Sequence, residues 1–163
     1  MATDYFLKFS TIKGESTDDK HADWIEFESF SFGASQALSG GRSSGGAASS
    51  ERVEMQDFTI TKKVDTASPE IFIACCKGSP IAEVHVEICR ATGDKTPYLK
   101  FKFDDVMISS WTPGGTTGGD LPDETVSCNF GKMEITYDAT DHATGQPGGS
   151  VVRFWDVEKN TGG

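Results

Sequence analysis

The chain has 163 residues, enough for one domain with a core of its own. Its 25 acidic and 15 basic residues give a formal net charge of −10, which repels nucleic-acid phosphates and anionic lipid. No apolar run reaches the ~18 residues of a membrane-spanning helix. Composition therefore argues against nucleic acid and membrane insertion, and the first residues predict no cleaved signal peptide.

Apolar and polar residues alternate with a period of two along most of the chain, which is typical of half-buried strands. Seven such runs, separated by turn residues, predict a mainly β fold, either a sandwich or a single-domain barrel of two packed antiparallel sheets. In chain order the runs cover residues 4–12, 24–36, 53–63, 81–90, 98–111, 125–138 and 151–157.

Two of these runs change the face that carries their apolar residues. The switch in the run 98–111 falls at Asp104–Asp105, and the switch in the run 125–138 falls at Gly131. Such a switch beside glycine or a polar pair predicts a β-bulge, which bends a strand. The other interpretation is that one end of each strand leaves the core and is covered by something else.

One short helix is predicted over residues 68–77. Ser68 is expected to cap it, Pro69 suits its first position, Glu70 complements the helix dipole, and Gly78 can end it. Its sequence is apolar on most sides, so it must be covered by the barrel or by another subunit.

A Gly/Ser-rich tract between the second and third runs predicts an extended flexible loop over about residues 38–51. It serves either as a contact element or as a mobile hairpin tip. It does not predict a phosphate site. Gly41 and Gly46 have the outer spacing of a P-loop, but Ala47 and Ala48 stand where Lys and Ser or Thr are required.

His85 is flanked by Glu83 and Glu87 on the polar face of its strand, a spacing that could hold a metal. The following turn is expected to place Lys100 beside Glu87 and Lys102 beside His85. Lysines beside a cation site oppose metal binding, so a cross-strand charge ladder is the favoured interpretation.

The remaining reactive residues form no catalytic pattern. His21 and His142 lie in polar segments without a nucleophile motif, and no Cys-x-x-Cys spacing occurs. The four cysteines are expected to be reduced and packed as small apolar residues; they are Cys75, Cys76, Cys89 and Cys128. The residues therefore predict no catalytic site, no metal and no cofactor.

Three kinds of protein remain open from composition and pattern alone. The first is a structural or binding module that assembles. The second is a monomeric barrel that binds a carbohydrate or another small ligand, with Trp24 and Trp111 in its pocket. The third is a hydrolase that depends on His85 or His142.

Segments across almost the whole chain together match one known family pattern, with Phe32 where that pattern has Trp. They are Ile12–Ser16 with Asp18, His21 and Trp24–Ile25; Ser29–Gln36; Gln56–Lys62 with Asp65, Ser68–Pro69, Ala74 and Gly78; Asn129–Phe130 with Tyr137; and Trp155–Asp156 with Asn160. The sequence thereby resembles Hcp (haemolysin-coregulated protein), the tube subunit of the bacterial type VI secretion system. The resemblance selects the structural module, with one domain over 1–163 and no C-terminal effector extension.

The resemblance implies a β-barrel with a flanking helix, similar to phage tail tube proteins. It implies hexameric rings that stack into a tube inside a contractile sheath. The implied partners are other copies of the chain, a VgrG-like spike protein, sheath and baseplate proteins, and effector proteins carried in the channel. The implied location is the bacterial cytoplasm before firing and the outside of the cell, or a target cell, afterwards.

The resemblance also assigns roles to particular residues. The extended loop corresponds to the family's ring-stacking loop, which implicates Leu38, Gly40, Gly41, Arg42 and Ser43. Ser31 lies in the segment that matches the family's channel-facing strand and is expected to meet cargo.

Overall fold

A computed structural model describes residues 3–39, 49–91, 95–140 and 147–163. These residues form twelve strands and one helix, so the predicted mainly β class is confirmed. In chain order the elements are β1 (Thr3–Phe9), β2 (Ile25–Phe27), β3 (Ser29–Ser31), β4 (Ala34–Ser39), β5 (Ser49–Met55), β6 (Phe58–Lys63), α1 (Ser68–Lys77), β7 (Ile81–Arg90), β8 (Pro97–Gly114), β9 (Asp123–Asn129), β10 (Lys132–Thr140), β11 (Pro147–Asp156) and β12 (Thr161–Gly162). The helix, ten residues long, is too short to span a bilayer, and it is the one helix of the described ranges.

The strands form two antiparallel sheets around one core, plus a separate hairpin. The first sheet has the order β12-β11-β10-β8-β7-β1-β2, and the second has the order β3-β6-β9-β8. Strand β8 belongs to both, because its first half pairs with β7 and β10 and its second half pairs with β9. The hairpin β4–β5 pairs only with itself within the described ranges.

Two corners carry the chain from one sheet to the other. In β8, Asp105 has a positive φ of 53°, and the buried positions change there from Phe103 to Val106. The other corner is Glu28, the single residue between β2 and β3, whose N–H donates to the Thr61 carbonyl at 2.8 Å. The predicted change of face at Asp104–Asp105 is therefore present and bends β8 around the core.

The bulge predicted at Gly131 is wrong. Residues 125–138 are not one bent strand, because β9 ends at Asn129 and β10 begins at Lys132 in a different sheet. The runs 24–36 and 53–63 likewise divide into β2, β3 and β4, and into β5 and β6. A short turn between two strands produces the same change of apolar parity in the sequence as a bulge does.

Aromatic side chains from both sheets fill the core between them. Phe58 of the second sheet lies 4.8 Å from Phe103 and 6.2 Å from Phe101, measured between ring centroids. Phe30 and Phe32, which follow the Glu28 corner, pack against Phe58 and Phe101. Each such pair adds to the free energy gained from burying the apolar surface itself.

The helix packs on the second half of β8 and ends as predicted at Gly78, which has a left-handed φ of 61°. Its start differs from the prediction. Ala67 is the N-cap residue, and Ser68 is the first helical residue. The Ser68 hydroxyl accepts the Asp65 N–H at 2.9 Å, while the Asp65 carboxylate accepts the Ala67 N–H at 2.9 Å. The aspartate upstream therefore anchors the turn that enters the helix.

Candidate assembly and channel surfaces

The outer face of the second sheet carries two rows of hydroxyl side chains. Strand register places Ser and Thr side by side across four strands, because every second residue of a strand faces outward. One row is Ser29, Thr61, Thr125 and Thr112, and the other is Ser31, Thr59, Ser127 and Ser110. We call these eight residues the hydroxyl face.

Ser31 is exposed and stands at the edge of this face, directly opposite Thr59. The Thr59 and Ser127 hydroxyls are hydrogen-bonded at 2.9 Å. At one end of the two rows, Lys63 pairs with Asp123 at 2.7 Å. The rows themselves carry no formal charge, so this surface donates and accepts hydrogen bonds without attracting ions of either sign.

The hairpin β4–β5 projects the predicted stacking loop. Its pairing extends from Ala34 opposite Met55 to Ser39 opposite Ser49, with an irregularity between Gln36 and Leu38. Leu38 thus lies within β4. The other residues predicted to stack rings lie outside the described residues; they are Gly40, Gly41, Arg42 and Ser43.

An apolar groove of about 380 Å³ lies between this hairpin and the strands β10 and β11. Ile135 and Phe154 on its wall are 36% and 38% exposed, which is high for large apolar side chains. The residues that line the apolar groove are Ala34, Gln36, Val53, Met55, Met133, Ile135, Arg153, Phe154 and Trp155.

The helix presents a second apolar surface, which we call the helix stripe. It consists of Pro69, Phe72, Ile73 and Cys76, which share one face at helical spacing and are all exposed. Cys76 therefore departs from the prediction that the four cysteines are packed, whereas Cys89 and Cys128 are buried.

His21 lies in a buried cluster beneath the first sheet. Its Nδ1 is 2.8 Å from Asp18 Oδ2, its Nε2 is 2.5 Å from Glu87 Oε2, and its ring stacks on Phe6 at 4.1 Å. His21, Glu87 and Cys89 offer three ligand atoms that lie within 4.8 Å of one another. Both ring nitrogens are already engaged by carboxylates, so His21 ties the loop before β2 to β7 through two hydrogen bonds.

The cluster changes the acidity of two of its members. The hydrogen bond from His21 and the contact with Lys95 lower the pKa of Asp18 to about 2. Burial raises the pKa of the Cys89 thiol to about 11, assisted by the negative charges of Glu87 and Asp18. Asp18 is therefore ionised and Cys89 protonated at neutral pH, so this thiol is a poor nucleophile.

A buried ion pair joins β6 to β9. Lys62 and Glu124 are 0% and 1% exposed and bonded to each other. Lys62 also donates to Asp65 at 2.9 Å, while Glu124 accepts from the Trp111 indole at 2.8 Å and from the Ser68 hydroxyl at 2.7 Å. This network fixes the helix start against the second sheet and leaves neither buried charge unpaired.

The sequence analysis did not predict this network, although the alternation of inward and outward positions along β6 and β9 indicates it. Lys62 shares the inward face of β6 with Phe58 and Ile60, and Glu124 shares the inward face of β9 with Val126. Opposite charges at two inward positions of neighbouring strands predict a buried pair, provided that the strand pairing is known.

The predicted charge ladder is confirmed in register. His85 pairs with Lys102 and Glu87 pairs with Lys100 across β7 and β8. His85 Nε2 lies 3.2 Å from the Glu83 carboxylate, so this histidine takes part in a surface hydrogen bond. His142, the other histidine considered for hydrolysis, lies outside the described residues.

Trp24 and Trp111, which the sequence suggested for a ligand pocket, instead contact other residues of the chain. Trp24 packs edge-on against His21, with ring centroids 4.9 Å apart. Trp111 donates its indole N–H to Glu124 and packs against Phe72 with ring centroids 5.2 Å apart and the rings tilted by 50°. Both rings therefore stabilise structural clusters.

Comparison with known proteins identifies the family. A family model described as "Type VI secretion system effector, Hcp" matches residues 6–137. The chain belongs to the Hcp family. It is 33% identical over 161 residues to protein hcp1 of Pseudomonas aeruginosa, covering 98% of each chain.

Solved structures of Hcp proteins have the same fold. A structure described as a type six secretion system protein matches with a TM-score of 0.93 and 32% identity, over 99% of this chain and 100% of that one. Hcp1 from Salmonella typhimurium matches with a TM-score of 0.82 and 29% identity, over 99% of both chains. As an Hcp protein, the chain is a tube protein of the type VI secretion system.

Proposed function

We propose that this chain forms hexameric rings that stack into the inner tube of a type VI secretion system. The similarity to Hcp proteins over almost the whole chain carries this proposal. It is supported by two exposed apolar surfaces, the apolar groove and the helix stripe, which a monomer leaves in contact with water. The proposed partners are the VgrG-like spike, the contractile sheath and the baseplate.

In this proposal the hydroxyl face lines the channel and meets effector cargo. An uncharged wall suits a passage for proteins of varied charge, because it offers hydrogen bonds without trapping acidic or basic segments. Ser31 is the proposed cargo contact, since it is exposed at the edge of this face. The charged residues of the ladder lie on the other sheet.

The hairpin β4–β5 is the proposed stacking element, with the contact made by Leu38, Gly40, Gly41, Arg42 and Ser43. The two strands that flank these residues in sequence pair with each other and form a sheet of their own within the described ranges. A glycine-rich loop that orders only on stacking lowers the net affinity between rings, because ordering costs conformational entropy.

Export can be tested in the bacterium that encodes the chain. We expect the protein in the cytoplasm of cells that lack a sheath subunit, and in both cytoplasm and medium of wild-type cells. A cytoplasmic marker enzyme measured in the same medium controls for lysis. Equal release from both strains would contradict the proposed function.

The cargo contact can be tested with Ser31→Leu. We expect the ring mass to be unchanged and the recovery of co-expressed effectors with the ring to fall, because a bulky apolar group replaces a hydroxyl at the wall. Thr17→Leu, an exposed change away from the hydroxyl face, is the matched control. Unchanged effector recovery with Ser31→Leu would remove Ser31 from the proposal.

A further inference from the structure

The helix α1 is apolar on two opposite sides. Ile71 and Ala74 face the barrel and are 0% and 8% exposed. On the other side Phe72 and Ile73 remain 44% and 40% exposed. A helix that is apolar on both sides is one that is covered on both sides, so the helix stripe indicates a missing contact.

The apolar groove is the second unpartnered surface, and its curvature is opposite to that of the helix stripe. The groove is concave and is lined by residues of β4, β5, β10 and β11, whereas the stripe is convex and lies on α1. A closed ring of more than two copies requires two different surfaces on each subunit that fit each other. This chain has such a pair, one concave and one convex.

The charges around the two surfaces are also complementary. Arg153 is the charged residue among those that line the groove. Glu70 lies beside the stripe, one helical turn before Ile73. Within the described ranges neither side chain forms a salt bridge. Arg153 donates one N–H to the Val152 carbonyl at 2.7 Å, and its remaining guanidinium N–H groups can meet Glu70 across a contact between copies.

We infer that the helix stripe of one copy docks in the apolar groove of the next copy around the ring, with Glu70 facing Arg153. This inference rests on the proposed function, because it assigns the surfaces that close the ring. It leaves the hydroxyl face outside the contact.

The first test is the solution mass of Ile73→Asp and Ile135→Asp. Each change places a carboxylate at an exposed position of one of the two surfaces, so the fold is retained, which circular dichroism checks. We expect both variants to lose the hexamer mass at micromolar concentration. Leu121→Asp is the matched control, because Leu121 is 65% exposed and lies outside both surfaces.

The second test uses the native Cys76 of the stripe and a short bismaleimide linker. In Ile135→Cys, one cysteine lies on each surface, so linking neighbours around the ring gives a ladder of bands up to six subunits. Leu121→Cys and the double variant Ile135→Cys/Cys76→Ser are expected to give no ladder. A product that stops at the dimer would show a two-fold contact and overturn the inference.

The outcomes separate this inference from the proposed function. Wild-type rings together with rings from both Ile73→Asp and Ile135→Asp would overturn the assigned contact and leave the tube proposal standing. A monomeric wild-type protein would overturn both. Loss of the ring in these two variants, with retention in Leu121→Asp, supports the assigned contact.

Discussion

His21 is held between two carboxylates that come from distant parts of the sequence, and this has a consequence for acid stability. The pKa of Asp18 is lower in the folded chain than its ordinary value of 3.8, because His21 and Lys95 favour the ionised form. A carboxylate with a depressed pKa stabilises the fold at pH values above the ordinary pKa, and that contribution is lost as the pH falls.

We therefore expect the stability difference between wild type and Asp18→Asn to shrink as the pH is lowered from 3.8 to about 2. Urea unfolding at fixed protein concentration, repeated across this range, measures it. Asp19→Asn is the matched control, since Asp19 is the exposed neighbour. A difference between wild type and Asp18→Asn that stays constant down to pH 2 would contradict the role of the pair.

Lys62 provides a second prediction at this scale. Lys62→Met leaves the Glu124 carboxylate buried without its cation, which we expect to cost about 3–5 kcal/mol of unfolding free energy. The double variant Lys62→Met/Glu124→Gln removes the orphaned charge and should recover much of the loss. Lys63→Met, next in sequence but 41% exposed, should change stability little.

Denaturant unfolding of these variants gives the comparison directly. If Lys62→Met and Lys63→Met were equally stable, the buried pair would contribute nothing to the fold. If the double variant were no more stable than Lys62→Met, the cost would come from lost packing rather than from an uncompensated charge.

At the scale of elements, the hairpin β4–β5 forms a sheet of its own and is the separable part of the fold. Deleting residues 40–48 and closing the hairpin with Asn-Gly shortens the stacking loop without touching the two core sheets. We expect rings with the same number of subunits that no longer stack. Electron microscopy of crowded rings measures this, and tubes as long as those of wild type would contradict the stacking role.

The strands and the helix also show which parts of the fold can be predicted from the sequence. Period-two alternation located most of the strands, because burial on one face is a local property, and Pro69 and Gly78 marked the two ends of the helix. It did not separate β9 from β10, since the Phe130–Gly131 turn and a bulge produce the same parity change. Local pattern carries no information about which sheet a strand joins.

The candidate surfaces, too, were predictable from the sequence only in part. Ser31 was identified from a resemblance, but the hydroxyl face became visible only when register aligned Thr59 and Ser127 with it. The partner of His21 is Glu87, 66 residues away, and the partner of Lys62 is Glu124, 62 residues away. Such pairs depend on strand pairing, which sequence alternation does not specify.

At the scale of the whole molecule, the described chain exposes three surfaces of different chemistry. The hydroxyl face is neutral and polar, while the helix stripe and the apolar groove are hydrophobic. A net charge of −10 keeps single copies soluble, and burial of the two apolar surfaces between copies favours assembly. Our central claim is therefore that copies of this chain close into a ring.

The solution mass of the purified wild-type protein tests that claim most directly. A hexamer has six times 17.5 kDa, about 105 kDa, by light scattering. We predict a species of that mass which negative-stain images show as annular particles with an open centre. A 17.5 kDa monomer over a wide range of protein concentration would contradict the ring.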